Sequence, residues 1–193
     1  MGRPEPVRKP ALQERVSAAI IQAAARTLAQ EGDRASMSDV AAVAGVARAT
    51  LYRYFPSRQA LVEEVGRLAA SDAGERLRSA RLDEVPVEEG VARAVRALVE
   101  VGDLFVVLAS ERVRVDPELF ESSFGAPLRK LIEHGRQTGG IREDVPISWL
   151  TEALVGLVVS VLSASPSMGR EDTIANTTSL FLHGASRRSR QFG

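Results

Sequence analysis

Few side chains in this chain of 193 residues are equipped for covalent chemistry. There is no cysteine, which excludes disulfides, thiolate catalysis and Cys-ligated zinc. The two histidines, His134 and His183, fall in different helical segments without carboxylate spacing that suggests a dyad. No metal-ligand cluster, phosphate-cradling glycine loop or Ser-His-Asp grouping is visible. The expectation is therefore no catalytic set, no cofactor and no metal. What the chain offers is hydrogen-bonding chemistry, concentrated in one stretch from Ser36 to Leu61, SMSDVAAVAGVARATLYRYFPSRQAL. There Arg48, Thr50, Tyr52 and Arg53 face mostly outward from one short helix. Such donors suit base edges and phosphates.

Those groups need a scaffold, and the neighbouring residues describe one. Ser36 is a good N-cap, and Asp39 stands three residues on, where a short acid can reach back. Val40, Ala41 and Ala44 give the first helix a small apolar face. Gly45 ends it through a positive φ that other residues resist. Val46 plugs the gap, and Ala47 to Tyr54 forms a second helix with Leu51 inward. Pro56 forces a stop, and Ser57 caps the next helix. Two short helices around a glycine turn are the layout of a helix-turn-helix, whose second helix enters the major groove of DNA. Ala-Gly turns join helices in many folds, so the longer string is the more specific signal.

That string, GVARATLYRYFPSRQAL, resembles the TetR (tetracycline-repressor-like) family of bacterial transcription regulators, whose hallmark is close to GVSxGTLYRYFPSKxxL. The departures are small: Ala47 stands where Ser is usual, Ala49 where Gly is common and Arg58 where Lys is usual. The resemblance implies that Arg48 and Thr50 approach base edges. An Arg can donate two hydrogen bonds to guanine O6 and N7, worth about 1–3 kcal/mol of discrimination. It implies that Tyr52 reaches a base or the backbone, and that Tyr54 and Arg58 contact phosphate. Ser36 and Ser38 stand at a helix N-terminus, where free backbone N–H groups attract phosphate. The DNA-contacting set is thus Ser36, Ser38, Ala47, Arg48, Thr50, Tyr52, Tyr54 and Arg58. Packing is the alternative role for Tyr52 and Tyr54, and plain capping the alternative for Ser36.

Charge shows the same division. Residues 1–60 carry nine basic and five acidic residues, a surplus of four positive charges; residues 61–193 carry sixteen and twenty, a surplus of four negative ones. A basic end on an acidic remainder suits a protein whose one end meets phosphate. The zero net charge argues against a polycation that coats nucleic acid. Hydrophobic residues at 45% with aromatics at 5% predict an aliphatic core. No apolar run reaches the ~20 residues that cross a bilayer. The N-terminal residues are charged without an apolar signal region, so a cytoplasmic protein is expected.

The remainder reads as all-α. Residues 1–10 hold three prolines and form an expected basic tail, with Arg3, Arg8 and Lys9 available to DNA. Residues 11–56 form the DNA-binding domain, 57–186 a helical regulatory and dimerisation domain, and 187–193 a tail. Within them, helices are predicted over 11–31, 57–81, 88–110, 127–137, 147–162 and 171–185, with a short one opening at Asp116-Pro117. Gly66 and Gly74 weaken the fourth helix by up to ~1 kcal/mol each relative to Ala; they either soften it or permit close packing. The resemblance implies a homodimer that reads a palindromic operator and releases it on binding a small molecule. Leu150, Leu154, Leu157, Val158, Val161, Ile174 and Phe181 are the expected dimer contacts, although the same faces would suit an internal core. A ligand pocket is expected among Leu104, Phe105, Leu108, Phe120, Phe124, His134, Trp149 and Leu154, whose aliphatic character favours a lipophilic inducer. Transcriptional activation and non-specific, nucleoid-type DNA binding are the alternatives that the sequence leaves open.

Overall fold

The computed structural model describes residues 9–110, 117–164 and 168–186. Arg3 and Arg8 of the expected basic tail, and the tail over 187–193, lie outside the described residues. The chain is a succession of helices: α1 (Lys9–Glu31), α2 (Met37–Val43), α3 (Arg48–Tyr54), α4 (Arg58–Ser79), α5 (Val87–Val101), α6 (Asp103–Ser110), α7 (Pro117–Phe120), α8 (Ala126–Gln137), α9 (Ile147–Ser163) and α10 (Arg170–Ala185). A single π-helical turn, Glu121–Gly125, joins α7 to α8. The one extended pairing among the described residues is an isolated bridge between Ile141 and Ser186.

Local chemistry accounts for the element ends. The α1 stripe of Ile20, Ala23, Ala24 and Leu28 is buried. Thr27 within it satisfies its hydroxyl by donating to the Ala23 carbonyl at 2.9 Å. Ser57 caps α4 by accepting from the Ala60 N–H at 3.1 Å. At the far end, the Arg136 guanidinium donates to the Arg142 carbonyl at 3.1 Å and to the Val145 carbonyl. Arg142 in turn donates to the Gly184 carbonyl at 3.0 Å. The segment between α8 and α9 is thereby clasped to the end of α10.

One helix expected to be continuous is broken. The sequence predicts a single helix over 88–110, but Gly102 takes φ 63 and ψ −133 and divides it into α5 and α6. That conformation is available to glycine and costly for any residue with a Cβ. The apolar run continues unchanged on both sides of the break, so hydrophobic patterning gives no sign of it.

Two hydrophobic cores result. The first gathers α1, α2, α3 and the start of α4 around Leu28, Val40, Leu51, Leu61 and Val65. The second gathers the rest of α4 with α5, α8, α9 and α10 around Leu77, Leu98, Ile132, Leu154 and Phe181. The changeover falls inside α4, between Val65 and Ala69. Gly74 of that helix is buried where a Cβ would stand 3.0 Å from the Ser123 hydroxyl, so here the glycine serves close packing. Helix α6 touches both cores: Phe105 belongs to the second, Val107 to the first, and Leu104 packs against each.

Two glycine substitutions test this description in opposite directions. Gly102→Ala should destabilise the protein by about 1–3 kcal/mol, because the alanine must hold a glycine-only backbone conformation. Gly156→Ala, in α9 where an added Cβ meets nothing within 4 Å, should stabilise it by about 0.5–1 kcal/mol. Urea midpoints of the two variants, compared with the parent, check both.

Candidate nucleic-acid interface

The presentation of α3 begins with the way α2 is held. Ser36 and Asp39 form a reciprocal capping box: the Ser36 hydroxyl oxygen accepts from the Asp39 N–H at 3.2 Å, and the Ser36 N–H donates to the Asp39 carboxylate at 2.9 Å. The Ser36 hydroxyl also donates to that carboxylate at 2.5 Å. These bonds, the side-chain one foremost, hold the Asp39 carboxyl below its ordinary value of 3.8. Helix α2 buries Met37, Val40 and Ala41. Gly45 then turns the chain at φ 66, and the Val46 N–H donates back to the Ala41 carbonyl at 3.0 Å.

Helix α3 is anchored through Leu51, which is wholly inaccessible. Arg48, Ala49, Tyr52 and Arg53 are exposed, while Thr50 and Tyr54 are half-buried. The Arg48 guanidinium lies over the Tyr52 ring at 5.5 Å, and Arg53 lies over the Tyr54 ring at the same distance. Each pair orients a cation by its attraction to an aromatic face. Tyr54 itself packs against the first core. Ala47 is the N-cap residue of α3 and supplies no side-chain cap.

Arg48 and Tyr52 thus share the exposed side of α3, Thr50 and Tyr54 stand half-buried on another side, Ala47 precedes the helix, and Ser38 is exposed on α2; two further expected contacts have partners within the chain. The Ser36 hydroxyl is engaged in its capping box. Arg58 is half-buried, and its guanidinium donates to the Gly32 carbonyl at 3.3 Å, bracing the end of α1 against the start of α4. A basic residue type at this spacing suggests phosphate; the fold supplies a nearer acceptor. Arg53 is not among the expected contacts, yet its outward position is legible in the sequence and its exposed guanidinium is held beside Tyr54.

The residues of the expected ligand set stand at different depths in the fold. Phe105 and Phe124 are buried against each other, ring centroids 5.7 Å apart. Leu154 is core, Leu104 and His134 are half-buried, and Trp149 is 59% exposed. The side chains of Leu108 and Phe120 lie outside the described residues. An open cavity of about 310 Å³ lies between the π turn, α8 and α9, and among the expected residues only Phe124 lines it. The expected dimer contacts differ in burial within the chain. Leu150, Leu154, Val158, Ile174 and Phe181 are buried in the chain's own second core, where they offer no surface to a partner. Leu157 and Val161 are half-buried. Among the described residues, no group of three or more His, Cys, Asp or Glu could hold a metal ion, and no helix is long and apolar enough to cross a membrane.

Comparison with known proteins decides what this geometry belongs to. Residues 20–65 match the family described as "Bacterial regulatory proteins, tetR family". Over those residues the chain is similar to TetR-family regulators. Its match spans the helix-turn-helix and the residues that lock it to α1 and α4. The chain is 28% identical over 138 residues to the HTH-type transcriptional repressor LfrR of Mycolicibacterium smegmatis, covering 71% of this chain and 72% of that one. The crystal structure of LfrR in complex with proflavine superposes with a TM-score of 0.71 at 25% identity, covering 90% of this chain and 97% of that chain. A tetR-family regulatory protein from Rhodococcus RHA1 has a TM-score of 0.73 at 18% identity, covering 90% and 98%, and shows the shared fold. The chain is thus similar, in its helix-turn-helix and across most of its fold, to DNA-binding transcriptional regulators.

Two measurements probe this interface. Arg48→Ala should weaken specific DNA binding by about 1–3 kcal/mol while leaving the melting temperature unchanged, whereas Arg58→Ala should lower the melting temperature; fluorescence anisotropy and calorimetry separate them. The second concerns acid. Because the folded Asp39 carboxyl is depressed, the stability it contributes is complete above its ordinary value and is lost as pH falls through that value towards the folded one. The gap in melting temperature between the parent and Asp39→Asn should therefore be widest near neutrality and should narrow below about pH 4.

Proposed function

We propose that the chain is a homodimeric repressor that holds a palindromic operator with α3 of each subunit and releases it when a small, lipophilic ligand occupies the regulatory part. The observation that carries this reading is the placement of α6. Its Val107 completes the core beneath the recognition helix, while its Phe105 stands in the regulatory core against Phe124. A ligand that displaced the second core would disturb the first through one short rigid element. The bound proflavine in the LfrR structure supports a small-molecule effector.

In this reading Arg48 and Thr50 address base edges and Tyr52 a base or the backbone. Ser38, Arg53 and Tyr54 address phosphates, and Ala47 lets the backbone approach. The DNA-binding part comprises residues 11–56 and the regulatory part 57–186, with basic tails on either side. The protein works in the cytoplasm.

A single α3 buries too little surface to be selective, and a twofold pair would read two half-sites on one side of the duplex. The faces of α9 and α10 turned away from the core suit such pairing. They expose Trp149 and Leu180, at 59% and 64%, and Met168, just ahead of α10, is 47% exposed. Gly156, Ser160, Ala175 and Ser179 on the same faces are small enough for close approach.

Selection of bound fragments from sheared genomic DNA at near-physiological salt tests the proposal. Recovery of one palindromic sequence is expected; recovery of unrelated fragments in proportion to their abundance would defeat it. Light scattering should give twice the chain's 20.8 kDa, and Leu180→Arg combined with Trp149→Arg should reduce it to the monomer. A parent protein already monomeric at micromolar concentration would remove the twofold reading.

A further inference from the structure

We propose that the Tyr52 ring is a positioning group for Arg48: it holds the guanidinium in its reading posture before DNA arrives, and so sets how strictly one guanine is chosen. This rests on the reading of Arg48 as a base-reading residue, and it gives Tyr52 a duty beyond any contact of its own hydroxyl. The guanidinium carbon stands 5.5 Å from the centre of the ring. Both residues lie on α3, four positions apart, and so on one face. Side chains of a helix lean towards its N-terminus, which brings the ring of Tyr52 towards the side chain of Arg48.

Arg48 needs such a partner. It is the first residue of α3, at the end of the helix where the backbone dipole disfavours a cation. The first turn holds no acid, and Ala47 before it supplies no side-chain cap. Among the described residues, the Tyr52 ring is the one partner of the Arg48 guanidinium. Other arginines are held differently: Arg67 by Glu64, Arg76 by Asp72 and Arg96 by Glu171. A carboxylate occupies the same N–H groups that would read a base. An aromatic face attracts the charge and leaves the five N–H donors unspent. Orientation and readout therefore do not compete at Arg48, and its donors stay available to guanine O6 and N7.

The placement of Tyr52 suits this role. It is 37% exposed and belongs to neither core, so packing does not explain an aromatic residue there. Tyr54 is the contrast, since its ring packs against the first core while Arg53 lies over it. An unrestrained Arg48 would lose its rotamer freedom on meeting DNA, whichever base it met. The stack removes part of that loss for one posture only, so the gain falls on the base that matches it. An exposed contact of this kind is worth about two- to fivefold in an equilibrium constant.

Base preference provides the test. The operator position read by Arg48 is the one at which Arg48→Ala abolishes the preference for guanine, in competition binding of the full chain to all four bases. At that position Tyr52→Leu should lower the guanine preference by about two- to fivefold. Tyr52→Phe should keep it, because the face remains and only the hydroxyl is lost. In the Arg48→Ala background, Tyr52→Leu should change the preference no further. By NMR of the full chain without DNA, the Arg48 side-chain protons should show the upfield ring-current shift of a stacked group in the parent and in Tyr52→Phe, and lose it in Tyr52→Leu. An unchanged guanine preference in Tyr52→Leu would overturn the proposal. So would an equal loss in Tyr52→Phe, which would assign the effect to the hydroxyl, or a parent without the ring-current shift. The underlying reading fails separately: if Arg48→Ala alters no base preference while the ring-current shift persists, the stack stands but Arg48 reads no base, and the proposal falls with that reading.

Discussion

The structure depends on a two-turn helix that belongs to two cores at once. Helix α6 sends Val107 into the DNA-binding core and Phe105 into the regulatory core, with Leu104 against both. Fully burying side chains of this kind contributes about 1.5–3 kcal/mol each. Neither core can therefore lose its share of α6 cheaply. The first core is built of alanines and aliphatic residues from short helices, and among the described residues Val107 is its only buried member from beyond α4. Packed interiors resist gradual deformation and shift between discrete arrangements. A helix shared between two such interiors is well suited to carry a change in one to the other.

The reading surface shows the complementary economy. One leucine, Leu51, fixes α3 to the core, which leaves its other face free for solvent or DNA. The two Arg–Tyr stacks restrain long side chains that would otherwise sample many rotamers. Restraint of this sort lowers the entropy lost on binding. The capping box at Ser36 and the bond from Arg58 to Gly32 work further back, holding α2 and the α1–α4 junction so that the turn at Gly45 sets the angle of α3.

Much of this is legible in the sequence, and the reasons are particular. The helix-turn-helix can be read because its demands are local: a cap at Ser36, a positive φ at Gly45, a stop at Pro56. The break at Gly102 cannot, because Val99, Val101, Leu104 and Phe105 keep a hydrophobic pattern that suits a helix on either side of it. For Arg58, side-chain type indicates what a residue can bond, whereas the Gly32 carbonyl that it meets is 26 residues away and is not legible locally. The apolar stripes of α9 and α10 show a related limit. Apolar periodicity on α9 and α10 identifies the face that is buried, and Leu150, Val158 and Phe181 are buried by their own chain.

Helix α9 has three sides with different work, and its register explains how they coexist. Leu150, Leu154 and Val158 point into the core. Val155 and Val159 line the cleft beside the π turn. Trp149, Gly156 and Ser160 are exposed. Glu152 and Gly156 sit where the cleft and the exposed face meet. A second subunit packed on that face would border the cleft, and a ligand filling the cleft would press on the same boundary. Because the helix is rigid over its 17 residues, it cannot adjust one side without moving the others. Through Phe124, which lines the cleft, and Phe105, which packs on it, this side of α9 is connected to the helix that spans both cores.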